Sequence, residues 1–104
     1  LCSHGLAEAY AILTSLPLSP KVSPAEAKRV LEATSSWLDV VTLSKSDYDA
    51  AVARVADLSF TSGSIYDALH AQAALKAKAD VILTLNKKHF IRLGEDIIKL
   101  VKEP

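Results

Sequence analysis

The chain has 104 residues, enough for one domain spanning 1–104. Half of them are apolar and 23 % are charged, a globular balance that excludes disorder; the 12 basic and 12 acidic side chains cancel, which excludes a globally basic nucleic-acid coat but not a local basic patch. The single cysteine, Cys2, cannot close an internal disulfide, no apolar run nears the roughly 20 residues of a membrane span, and no basic leader opens the chain, so the expectation is a cytoplasmic protein without membrane contact.

Residues 4–16 read as a helix, with Leu6, Ala9, Tyr10 and Leu13 on one face. Pro17 and Pro20 end it, because proline cannot continue the hydrogen-bond ladder. Ser23-Pro24-Ala25-Glu26 combines a serine cap, a proline at the first helical position and the glutamate of a capping box, and predicts a helix to Ser35. The β-branched run at 39–43 predicts a strand. Ser46-Asp47-Tyr48-Asp49 reads as a second cap, with a helix to Leu58. Ser64-Ile65-Tyr66-Asp67 reads as a third, with a helix to Lys78. Residues 80–85 are nearly all apolar, the pattern of a strand buried on both faces. Asn86 caps a short helix through Arg92, Gly94 ends it, and 97–101 forms the last strand. Strands separated by helices imply parallel pairing with crossovers, hence an α/β sandwich whose functional groups gather at the carboxyl ends of the strands.

Three polar positions suit a divalent cation: Glu8, Asp67 and Asn86. Mg²⁺ and Mn²⁺ take carboxylate and amide oxygens. Carboxylates converging at a sheet edge repel one another unless a cation lies between them, and such a cation activates water against a phosphodiester. Each position also has a plainer reading: Glu8 as an exposed helix residue, Asp67 and Asn86 as helix caps. His4, His70 and His89 lack the spacing of a zinc site. His70, three residues after Asp67, is placed to bond to it or to a substrate, or simply to pack. Lys87, Lys88 and Arg92 follow Asn86 and flank the proposed metal edge, where phosphate contacts give binding without sequence choice; the ordinary alternative is a solvated helix face. With three glycines, Gly5, Gly63 and Gly94, no phosphate-cradling loop can be written, which sets a nucleotide-binding domain aside.

Several segments together resemble the PIN-domain proteins found as toxins in VapC-type toxin–antitoxin pairs. They are SHGLAEAYAILTSLP at 3–17, VSPAEA at 22–27, VVTLSKSDY at 40–48, SGSIYDALHAQAALKAKADVILTLNKKHF at 62–90 and the RLG that follows. The resemblance implies a three-layer α/β/α sandwich with a parallel sheet, and Mg²⁺- or Mn²⁺-dependent cleavage of RNA. Under it, Glu8 and Asp67 are metal-binding acids and Asn86 is a weaker, uncharged ligand. Thr84 orients a metal-bound water, while Lys87, Lys88, Arg92 and His70 contact RNA. The resemblance further implies a homodimer and a cognate antitoxin protein that covers the acidic site.

The family's opening strand with its first aspartate, its first helix and most of its second strand have no counterpart, a gap of roughly 35–45 residues. That opening strand is central in the family's sheet. Without it, the strands at 39–43 and 81–85 are expected on opposite sides of the gap, with apolar edges exposed. Two functions are therefore open. One is a metal-dependent ribonuclease in which Glu8, Asp67 and the absent aspartate hold the ion. The other is a non-catalytic RNA- or protein-binding module, favoured by the lost strand, by Asn86 and by the apolar 6–16 helix.

Overall fold

In the computed structural model, which describes all 104 residues, local chemistry sets two of the helix starts. Ser23 accepts from the Glu26 amide at 3.1 Å while Glu26 reaches back to the Ser23 amide at 3.3 Å, and α2 runs Pro24–Ser35 behind that box. Before it lies α1 (Ser3–Ser15). The next helix, α3 (Lys45–Asp57), is capped by Ser44 rather than by Ser46. The reason is the residue three positions on: Asp47 accepts from the Ser44 amide at 2.8 Å and closes the box. Asp49, the corresponding partner for Ser46, is held by Lys45 at 2.7 Å. No cap forms at Ser64. Helix α4 (Ser64–Lys76) starts behind Gly63, and Ser64 donates back to the Thr61 carbonyl. The remaining elements are short: β1 (Ile82–Leu83), α5 (Lys87–Ile91), α6 (Glu95–Ile98) and β2 (Val101–Lys102).

The expected α/β/α sandwich is overturned. Helices hold 58 % of the residues, and the sheet is two short parallel strands, with Ile82 opposite Val101 and Leu83 opposite Lys102. The strand expected at 39–43 is reduced to one parallel bridge between Val41 and Cys2. The strand expected at 80–85 keeps only Ile82 and Leu83, and in the one expected at 97–101 Ile97 and Ile98 belong to α6. The cause lies in the pairing. The Ile82 and Thr84 amides donate to the carbonyls of Leu100 and Lys102, so β1 is laddered on one edge. An apolar slot of about 300 Å³ is lined both by Val81–Thr84 and by Leu1, Cys2 and Val41. With no strand across that slot, the β-branched runs have no ladder to extend, and Leu83 and Leu85 remain 66 % and 86 % exposed.

The core is correspondingly small and sits where α3 and α4 meet the C-terminal elements. Leu43, Val55, Leu69, Phe90, Leu93, Ile97 and Val101 form its centre, and Leu93 and Ile97 are its largest fully buried side chains. Arg54 on α3 spans to the far side of this core. It donates twice to Asp96, at 2.9 and 2.7 Å, and to the Leu93 carbonyl at 2.8 Å. No helix is long and apolar enough to cross a membrane.

Asp47 is buried at the joint between α3 and α4, where Lys76 donates to it at 2.7 Å and Gln72 at 3.2 Å. The Lys76 hydrogen bond, followed by that of the Ser44 amide, holds the Asp47 carboxyl well below the usual carboxylate range. A carboxyl with a depressed folded pKa contributes stability that is present above its unfolded value near pH 4 and is lost as the pH falls through the folded value. The melting temperature should therefore drop as the pH is lowered below about 4, and the drop should be shallower in Asp47→Asn. Thermal melts between pH 6 and pH 2 check this, and parallel curves for the two proteins would contradict it.

Candidate functional site

Helix α1 reaches α4 through Gly5, where a Cβ would stand 3.3 Å from the His70 ring and 3.3 Å from Leu1. The missing side chain lets the two helices approach, and it brings Glu8 against His70. His70 Nε2 lies 3.1 Å from Glu8 Oε2. His4, one turn before Glu8, places its Nε2 3.2 Å from Oε1. Oε1 is buried and the His4 contact lacks hydrogen-bond alignment, so Glu8 is bracketed by two imidazoles with only one aligned bond.

The His4 ring in turn stacks on Tyr66, with centroids 5.2 Å apart and planes 5° from parallel. Asp67 follows on the same helix. Its Oδ2 lies 3.5 Å from an Arg92 nitrogen and 3.9 Å from His89 Nδ1. Arg92 is braced from behind by the Phe60 ring, 4.8 Å below its guanidinium carbon, and its Nε donates to the His89 carbonyl at 3.1 Å. His4, Glu8, Tyr66, Asp67, His89 and Arg92 line one open cleft of about 790 Å³, together with Ala7, Ala11 and Ile12 of α1.

Of the residues singled out in the sequence, Glu8, Asp67 and Arg92 share this cleft. His70 bonds to Glu8 from the side of the apolar slot, which it lines, and not to Asp67. Thr84 also lines the slot and Asn86 is exposed; the Asn86 amide donates to Thr84 Oγ1 at 2.9 Å, and neither residue lines the cleft. Lys87 and Lys88 are exposed on α5, without an ion-pair partner, just before His89. His4, Tyr66 and His89 also belong to the cleft, beyond the site residues that the sequence suggests. The signal for His4 was local, because four residues separate it from Glu8 on one helix. Tyr66 and His89 carried no such signal.

Residues 1–96 match the PIN domain family. The chain belongs to that family. It is 36 % identical over 81 residues to Ribonuclease VapC27 of Mycobacterium tuberculosis (strain ATCC 25618 / H37Rv), an alignment covering 78 % of this chain and 58 % of that protein. Homology to VapC-type ribonuclease thus extends over most of the chain, while the chain spans little more than half the length of this relative. No solved structure matches it.

Membership of the PIN family brings the question of a divalent cation back to these side chains. No group of three or more His, Cys, Asp or Glu residues is placed to hold a metal ion. Glu8 faces His4 and His70, and Asp67 faces Arg92 and His89 through its Oδ2. As these side chains are paired, Glu8 and Asp67 line the cleft without forming a metal-holding group, and Asn86 lies outside it.

Proposed function

We propose that these 104 residues act as an RNA-binding PIN module whose cleft holds single-stranded RNA without cutting it. One observation carries the reading: both acids of the cleft are already faced by basic side chains, while Lys87 and Lys88, exposed and directly before the cleft residue His89, have no acid to pair with. A phosphate backbone running along α5 supplies the missing negative charge. Arg92, Lys87 and Lys88 hold the phosphates. Glu8 and Asp67 repel them and keep the strand at the rim.

Fluorescence anisotropy with a labelled single-stranded RNA tests this. Binding should weaken with salt, and each of Lys87→Ala and Lys88→Ala should lower the slope of log K against log salt by about 0.7. A salt-independent affinity, or slopes unchanged in both variants, would overturn the reading.

A second reading is favoured by the 36 % identity to a protein named a ribonuclease. In it the bound RNA is hydrolysed with a divalent cation, Glu8 and Asp67 being the acids concerned. It requires His4 and His70 to give up Glu8. Under either reading, we propose a cognate antitoxin and a second copy of the chain as protein partners, in a cytoplasmic setting.

A further inference from the structure

We propose that Tyr66, backed by His4, is a stacking platform for one nucleobase of the bound strand. This rests on the RNA-binding reading and deepens it, since it assigns the contact that meets a base rather than a phosphate.

Tyr66 is half exposed at the first turn of α4, on the wall of the cleft. One side of its ring is covered by His4 in an offset, parallel stack. His4 in turn lies 3.2 Å from Glu8. The stack therefore presents a two-ring aromatic surface on the cleft wall. Gly63, three residues before Tyr66, also lines the cleft, and a Cβ built there would meet nothing within 4 Å.

The surroundings select the ligand class. A purely apolar ligand in this cleft would meet Asp67, His89 and Arg92 and could satisfy none of them. A nucleobase offers a flat π-face for Tyr66 and a polar edge for those side chains, and it arrives attached to a phosphate that Arg92 can hold. Because every base has a π-face, the platform takes any base and adds affinity without a sequence preference.

The test compares two probes of equal length, an oligouridine RNA and its abasic ribose-phosphate analogue, on the full chain and its Tyr66 variants. Wild type should bind the base-bearing strand more tightly than the abasic one. Tyr66→Ala should lose between about 5-fold and 100-fold on oligouridine and little on the abasic strand, while Tyr66→Phe should stay close to wild type. Tyr66→Leu keeps apolar bulk but no ring, and should behave as Tyr66→Ala does even if the alanine variant folds poorly.

Equal losses on both probes, or no loss in Tyr66→Leu, would overturn the platform while leaving RNA binding in place. Failure of wild type to bind either probe would instead overturn the RNA-binding reading, and the platform with it.

Discussion

Replacing Ile97 by alanine is expected to lower the free energy of unfolding by about 2–5 kcal/mol. Ile97 is fully buried and is one of the two largest side chains in that state. It belongs to a four-residue helix that owes its place to packing, since a single turn has no stability of its own. Truncation removes apolar area from the contact with the rest of the core and leaves a cavity that short flanking elements cannot close. Only 16 of the 104 residues are buried, so the loss falls on a small core and is large against the roughly 5–15 kcal/mol typical of a native domain. The neighbouring Ile98 is 46 % exposed, and Ile98→Ala should change stability by about 0.5 kcal/mol or less. Urea denaturation of the two variants decides the matter, and similar losses in both would contradict this account of the core.

The second large effect is expected at Gly94. Its φ of 134° and ψ of 164° lie in a region open essentially to glycine alone. A Cβ there would also stand 3.0 Å from an Arg54 nitrogen and 3.0 Å from an Asp96 oxygen, the two groups that close the bidentate pair. Gly94→Ala should therefore cost about 1–3 kcal/mol in backbone strain. The displaced Arg54 also donates to the Leu93 carbonyl, and losing that bond adds about 1 kcal/mol. Arg54→Ala combined with Gly94→Ala separates the two causes, because it relieves the clash but not the strain. Chemical denaturation should show the double variant no less stable than the sum of the single losses predicts. A Gly94→Ala protein as stable as wild type would show that φ at this position relaxes freely.

What was legible in the sequence was local. The Ser23–Glu26 box needs only four residues, and it forms as read. The α3 start shows the limit of such reading. Ser44 and Ser46 both precede acids at suitable spacing, and the choice falls to Ser44 because Asp47 also takes Lys76 and Gln72 from α4. The sheet was misread because a strand is not a local object. The run from Val81 to Leu85 has a strand's composition, yet its extent is set by whether a neighbour lies along each edge, and only Leu100–Lys102 does.

The cleft divides in the same way. Glu8 and Asp67 do share it, and the residue at Glu8's own helical spacing, His4, could have been found. His70 reaches Glu8 across 62 positions, and Arg92 reaches Asp67 across 25, which no spacing rule foretells. Asn86 and Thr84 follow the expected acids in chain order, but Thr84 Oγ1 accepts from the Asn86 backbone amide and neither residue lines the cleft. No metal-holding group is assembled from these side chains, because the fold sets each acid against a base.

The most direct test of the central claim is to incubate this 104-residue chain with a 5′-labelled single-stranded RNA, with and without Mn²⁺, and to read bound fraction and RNA length in one experiment. The account predicts salt-sensitive binding with the RNA left at full length under both conditions. Mn²⁺-dependent shortening of the RNA that Asp67→Asn abolishes would contradict it and establish the nuclease reading, and absence of binding would contradict both.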